Sequence, residues 1–512
     1  MGVDNKMKNI RYLILFATVL MLVGCSSKDR NVRGIEQEPS VDLITLNEVI
    51  REANDLRKST LMQEPELYLH NMDEKFNLLT DEQLIAFTTK KDKKEMITLE
   101  KGLEDIESAF YILKAFYGAY QYFGGDEVFN KAKMETMDYL RTLGQKDKVI
   151  SSEELRDVLC EGLSFIRDGH FVIENKFLNK FQYTYCNVDF DIIKSGDDYW
   201  ILYNEKYYKI LKIQHNEELE YYIKYTIDQD GNLMYGIFQV MDAAIASEKG
   251  TLELQYGDEV IQIEFSWSML LPNREKHELV YERTEVKGIP VIRISSTSVT
   301  VDGLDSQLND FVRSATYDKK NKSMIIDLRG NGGGDDQVYE KWFVKYSNYQ
   351  SQRLISVLKK KTRLSYLAQL STYDEWILGL DNPSEIHLND ILKEEWSEYH
   401  QSGKWTTNEN RLYVLIDKRV ASSGEGFVSL LRTLDNVVFV GSNTAGMTFS
   451  LANSYKYLPN SGIYMYFGEG ICIYENAGNK DTIGFLPDIW VSPEEALELV
   501  VKMHSNYAGV NE

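Results

Sequence analysis

The chain is poor in cysteine and histidine and has no basic block, and each shortage removes a class of function. Only four cysteines occur in 512 residues. Cys25 lies near the N-terminus, while Cys160, Cys186 and Cys472 are far apart with no CxxC or zinc-type spacing, which speaks against a thiolate metal site. The odd remainder leaves at least one free thiol. The three are read as small buried apolar residues, and a Cys160–Cys186 bridge stays open. No lysine- or arginine-rich run offsets a formal net charge of -22. Such a surface repels a polyanion, so no nucleic-acid partner is expected, whereas a basic peptide would be attracted. Repeats and low-complexity tracts are also missing. What is present is 43% hydrophobic and 12% aromatic residues, with 33 tyrosines. That supplies two or three cores and argues against a disordered chain.

Lys6, Lys8 and Arg11 precede an apolar run from Tyr12 to Val23, too short for a comfortable permanent span, which reads as a secretory segment. Leu22-Val23-Gly24-Cys25, followed by Ser26-Ser27, resembles a bacterial lipoprotein lipobox. The resemblance implies cleavage before Cys25, acylation of its thiol, and a lipid-anchored place in the cell envelope on the extracytoplasmic face of a bacterial membrane. The alternative is an ordinary signal peptide with an incidental cysteine. Residues 1–25 are thus read as a lipoprotein signal peptide and 26–40 as a flexible tether.

Residues 41–180 read as an N-terminal helical domain. Leu103, Ile106, Phe110, Leu113 and Tyr117 recur at helical spacing, and Ser151 or Ser152 caps a helix with acids in its first turn. Gly169 would end that helix and leave His170 on the turn or strand beyond. Residues 181–275 read as a β-rich domain with turns at Ser195–Asp198, Asp230–Asn232 and Gly257-Asp258. Within it, Tyr208–Ile223 faintly resembles the strand–helix passage of a PDZ domain, though that domain's carboxylate-binding glycine loop is not recognisable. Residues 276–512 read as an α/β core. Strands Ile289–Ile294, Ser323–Leu328, Leu412–Ile416 and Val437–Val440 alternate with helices at Leu304–Ser314 and from Gly424, the pattern of a sheet buried on both faces. The polar, aromatic stretch 346–405 interrupts this order and reads as a helical insertion or lid.

Two segments of this core could carry chemistry. Arg329-Gly330-Asn331-Gly332-Gly333-Gly334 follows an apolar strand, and its backbone N–H groups could hold an anion or a developing oxyanion. A phosphate-binding reading is weak, because no GK[ST] follows and Asp335-Asp336 adds negative charge. Those two acids are read as a solvated helix start rather than a cation site. Ala421-Ser422-Ser423-Gly424-Glu425-Gly426 lies at a strand-to-helix turn, where a serine faces backbone N–H groups and a helix dipole. A plain N-cap serine would look the same. A serine nucleophile needs a base, and of seven histidines only His170 stands between a turn-forming Asp-Gly and an apolar strand.

In order and spacing, IPVIRISS, SMIIDLRGNGGG, LYVLIDKRVASSGE, VVFVGSNTAG and IGFLPDIWV resemble the tail-specific, C-terminal-processing serine peptidases over about Glu285–Pro493, and RDGHF resembles that family's Asp-Gly-His segment. The resemblance implies a crotonase-like sheet with flanking helices, no cofactor, and a peptide or protein substrate. By position Ser422 is the nucleophile. The oxyanion hole falls to the Ser423 N–H and a glycine N–H from Gly332-Gly333. The family's bacterial processing branch has a lysine after its threonine-x-glycine segment; here Met447 follows Thr444-Ala445-Gly446, and a thioether accepts no proton. The tricorn-like branch instead implies His170 as base and Asp481 as the acid orienting it, with Glu475 the competing acid. A catalytically inactive surface lipoprotein that binds peptides or a partner remains the alternative, with an esterase on the same site a third reading.

Overall fold

The computed structural model describes residues 39–59, 68, 86–144, 148–243, 245, 249–272, 278–298, 304–348, 354–361, 395–402, 405–474 and 481–507. The leader, Cys25 and most of the tether lie outside these residues, as does Glu475. Among the described residues no helix is long and apolar enough to cross a membrane.

The chain opens with α1 (Leu46–Lys58), capped by the Thr45 side chain, which accepts from the Glu48 N–H. Strand β1 (Met96–Thr98) leads into α2 (Leu99–Phe116), and α3 (Gly125–Gly144) follows. Strand β2 (Val149–Ser151) pairs with β1 and runs into α4 (Ser152–Gly162), where Ser151 and Glu154 form a reciprocal capping box. Helix α4 ends at Gly162 rather than at Gly169, so a turn separates it from His170. Helices α2–α4 do not own a core. Ile106, Phe110, Leu113 and Leu159 pack with Leu458, Met465 and Phe467 of the C-terminal half.

Short strands β3 (Val172–Ile173) and β4 (Lys176–Phe177) follow. Then come β5 (Tyr183–Ser195), β6 (Asp198–Tyr203), β7 (Lys206–Ile213), β8 (Ile223–Ile227), β9 (Leu233–Met241), β10 (Gly250–Tyr256), β11 (Glu259–Phe265) and β12 (Ser268–Met269). These last eight form one antiparallel sheet in the order β11-β10-β7-β6-β5-β9-β8, with β12 beside β5. Tyr208–Ile223, where a strand–helix passage was expected, holds the end of β7 and a single 3-10 turn at Leu219–Tyr221. Among its described residues this sheet carries no α-helix, so the PDZ resemblance does not extend to the fold.

The C-terminal half continues with β13 (Tyr281–Val286), β14 (Ile289–Ile294), α5 (Leu304–Asp318), β15 (Ser323–Asp327), α6 (Asp336–Ser347), β16 (Leu354–Lys361) and β17 (Glu395–Ser402). It closes with β18 (Arg411–Ile416), α7 (Ser423–Leu431), β19 (Val437–Gly441), β20 (Ser450–Tyr457), β21 (Tyr464–Tyr474), β22 (Ile489–Trp490) and α8 (Ala496–Tyr507). The central sheet has the order β13-β14-β15-β18-β19-β22, parallel throughout except for the edge strand β13. Its strands are apolar at successive positions because both faces are covered. Met324, Ile326, Leu412, Val414 and Phe439 face Phe311, Trp342 and Phe427 of α5, α6 and α7. Ile325, Tyr413, Leu415 and Val438 face α1 and α8.

A second sheet, β17-β16-β21-β3-β4 with β20 beside β21, joins the two ends of the chain. The stretch expected to be a helical insertion is different at both described ends. There β16 and β17 pair antiparallel, and β16 pairs with β21. Leu354–Lys361 (LISVLKKK) shows no apolar–charged alternation; Ile355, Leu358 and Lys360 are buried, and the Lys360 ammonium donates to the Ala115 carbonyl at 2.9 Å. Cys160 and Cys186 are both free thiols, so no Cys160–Cys186 bridge forms. Burial pushes the Cys160 and Cys186 thiols up to about 11.

Candidate active site

Adjacent parallel strands β15 and β18 both end at the same edge of the central sheet, where parallel sheets place their binding sites. The glycine-rich turn leaves β15 and the serine turn leaves β18. Arg329 anchors the first through a buried two-pronged bond to Asp327, with a further bond to the Pro493 carbonyl. Asn331 spans the two turns, since its side chain donates to the Ile294 carbonyl at 2.8 Å and its backbone carbonyl accepts from Ala421 N–H at 2.9 Å.

Ser422 sits at the mouth of α7 with φ 52 and ψ -123, a conformation that costs a non-glycine residue about 1–3 kcal/mol and survives only when neighbours enforce it. The neighbours are identifiable. Ser422 N–H donates to Glu425 Oε2 at 3.2 Å, and its carbonyl accepts from Gly426 N–H at 3.0 Å. Gly333 must lack a side chain, because a Cβ there would lie 3.0 Å from both Ser422 Cβ and Ser423 N. Glu425 is fully buried and also accepts from the Thr444 hydroxyl, from Gly446 N–H at 2.9 Å and from Met447 N–H at 2.8 Å. Burial raises its pKa, and those hydrogen bonds oppose the rise.

His170 reaches this serine from the other half of the chain. Its Nε2 lies 3.4 Å from Ser422 Oγ, loose but within the range that unliganded catalytic pairs show. The imidazole is buried, which holds its pKa below the ordinary value, and the charge of Asp168 works against that shift. Asp168 fixes the turn rather than the ring. Its Oδ1 accepts from His170 N–H at 2.9 Å, and its Oδ2 accepts from the Tyr117 hydroxyl at 2.8 Å and from the Ser450 hydroxyl.

Asp481, expected to pair with the ring, bonds the residue before His170, and no hydrogen bond joins its carboxylate to the ring Nδ1. It accepts from Gly169 N–H at 2.6 Å, from Thr448 N–H at 2.7 Å and from Phe449 N–H at 2.9 Å, while His170 Nδ1 is buried without a partner. Burial first, and the charge of Asp168 second, raise the Asp481 pKa well above the carboxylate range. The glycine amides differ from expectation as well. Gly333 N–H donates to Asn331 Oδ1 at 2.9 Å and Gly332 N–H to the Ser295 carbonyl at 3.3 Å, so both are engaged within the turn. Asp335 caps α6 by accepting from Gln337 N–H at 2.9 Å, in keeping with a helix start. Among the described residues no His, Cys, Asp and Glu cluster could hold a metal ion.

Residues 288–491, spanning the strands and turns that carry Ser422, match the model of peptidase family S41. A curated relative, the nisin-resistance protein of Lactococcus lactis subsp. lactis, is 24% identical over 227 residues, 44% of this chain and 61% of the relative, so the match leaves over a third of that protein uncovered. Mature CPAF complexed with lactacystin is a remote structural likeness at 16% identity over 80% of this chain and 97% of the other, with a TM-score of 0.39. A lipoprotein from Streptococcus agalactiae is more remote, at 14% identity, the same 80% and 97%, and a TM-score of 0.30.

His170 lies outside the S41 match, so the matched segment alone does not hold both partners of the pair. Sequence reasoning placed Tyr117 only on a helix face and Asp168 only in a turn, and used Glu425 only to locate the serine. It also passed over Lys418, whose buried ammonium donates to the Thr444, Ala445 and Thr482 carbonyls at 3.0, 2.9 and 3.0 Å. Burial pushes that lysine down to about 7, although Glu425 and Asp481 favour its charge. A lysine one residue after an acid at a strand end gives no sign of this; three converging carbonyls do.

Proposed function

We propose that this chain is a serine peptidase that cleaves peptide or protein substrates through an acyl-enzyme on Ser422, with His170 as general base. The observation that carries the reading is the 3.4 Å approach of His170 Nε2 to the hydroxyl of a serine held in a strained elbow. In the first step Ser422 Oγ attacks the substrate carbonyl carbon and its proton passes to Nε2. The carbonyl oxygen takes the electron pair and faces the N-terminus of α7, where the Ser423 N–H is the leading donor. Collapse breaks the C–N bond, and the imidazolium returns its proton to the leaving amine. Water then repeats the sequence on the ester and frees Ser422. Asp168 and Asp481 act through the backbone of residues 168–170 and position the ring.

Endopeptidase action and a lipid anchor at Cys25 in a bacterial cell envelope belong to the same proposal; the anchor is supported by the lipobox-like segment. The test is fluorophosphonate labelling of protein lacking the leader, followed by peptide mapping. An adduct on Ser422 that His170→Ala abolishes is the expected result; folded protein that forms no adduct would sink the reading. A silent peptide-binding lipoprotein is the second reading, favoured by the unpartnered His170 Nδ1 and by Met447 where the processing branch has its lysine.

A further inference from the structure

A cavity of about 620 Å³ lies away from the serine elbow, walled by α1, by strands of the antiparallel sheet and by the segment from Phe485 to Trp490. One end of it carries an imbalance of charge. Arg57 and Arg432 both lie over the ring of Phe439, at 5.0 and 5.9 Å from its centroid, and Asp488 is the carboxylate beside them. Arg57 takes Asp488 as its ion pair and also donates to the Val437 carbonyl at 3.1 Å. The Arg432 side chain is half-buried and makes no hydrogen bond or ion pair among the described residues; it rests on Phe439 and on Phe485, 5.5 Å away. Burial, with the like charge of Arg57 adding to it, pushes Arg432 down to about 10. The covered part of this guanidinium lacks the charge-assisted bonds that normally offset desolvation, and the rest is open to an anion in the cavity.

The rest of the wall sets the kind of anion. Lys194 and Lys224 add two cations, against the acids Glu52, Glu220 and Asp488, so four positive groups meet three negative ones. One unmatched positive charge suits a singly charged anion better than a dianion. Phe485, Leu486 and Trp490 line the cavity next to Arg432 and offer an apolar surface. We propose that this cavity binds a monocarboxylate bearing an apolar side chain, with Arg432 taking the carboxylate and the Phe485–Trp490 segment taking the side chain.

The test is isothermal titration of the full chain with N-acetylphenylalanine, its carboxamide and inorganic phosphate. The acid is expected to bind at least about tenfold tighter than the amide, the value of one charge-assisted bond. Arg432→Gln is expected to erase that preference and Arg432→Lys to keep part of it. Equal binding of acid and amide, no binding of the acid, or phosphate binding tighter than the acid would each overturn the proposal. Because acid and amide are compared on the unchanged chain, the outcome stands even if the Arg432 variants fail to fold.

Discussion

Asp481→Asn separates two ways in which a carboxylate can serve His170. If Asp481 accepted the Nδ1 proton, the amide would favour the wrong tautomer and cost about 10⁴ in rate with little structural change. The hydrogen bonds argue otherwise. Oδ1 accepts from Thr448 N–H, Thr448 hydroxyl and Phe449 N–H, while Oδ2 accepts from Gly169 N–H. An asparagine that keeps its oxygen toward residues 448 and 449 turns its NH₂ on Gly169 N–H, donor against donor. One buried conflict of this kind costs about 1–3 kcal/mol. Burial and the Asp168 charge already disfavour the ionised form of Asp481, so a neutral amide is partly tolerated there, which favours the lower end. Displacing Gly169 by a fraction of an ångström also shifts His170, at no more than about a hundredfold in rate. The expected result is therefore a lowered urea midpoint and a 10- to roughly 100-fold slower labelling of Ser422 by fluorophosphonate. A 10⁴-fold loss at unchanged stability would refute the anchoring role and restore the orienting one.

Other consequences can be measured alongside. His170 is held below its ordinary pKa by burial, so the neutral base persists to lower pH than a free imidazole. Labelling should hold from pH 8 to about 6.5 and fall only below that, and a fall that begins at pH 7.5 would contradict the burial argument. By the same linkage the unfolded chain takes up this proton first, so the contribution of His170 to stability is lost as pH drops below about 6.5. Gly169→Ala would place a Cβ 2.5 Å from the Gly446 carbonyl oxygen and 2.9 Å from Met447 Cγ. It should cost about 1–3 kcal/mol in urea unfolding and slow labelling more than Asp481→Asn does. Lys456 and Glu469 form a fully buried pair at 2.8 Å, so Lys456→Met should destabilise by about 3–5 kcal/mol. Adding Glu469→Leu should recover much of that loss in a double-mutant cycle.

Sequence alone determined the central sheet, because strands covered on both faces read as mostly apolar runs, and β14, β15, β18 and β19 do so apart from Arg293 and the strand ends. The turn alone did not single out the serine, since a plain N-cap would look the same; motif order made Ser422 the candidate. The pair Ser422–His170 came from motif order; its members are 252 residues apart, and no periodicity links them. Tertiary structure decided the rest. Leu354–Lys361 has no strand-like alternation; it is a strand because β21 and β17 pair with it, so the described ends of the stretch read as helical became sheet. Tyr208–Ile223 lost its expected helix because β7 and β8 find partners in the antiparallel sheet. Asp481 holds the residue before the histidine, and three backbone amides take its oxygens, so hydrogen-bond geometry rather than residue type tied it to the backbone. Lys418 and Arg432 look like ordinary surface cations in the sequence. Burial, and the carbonyls or aromatic rings around them, made one a cross-tie and left the other without a partner.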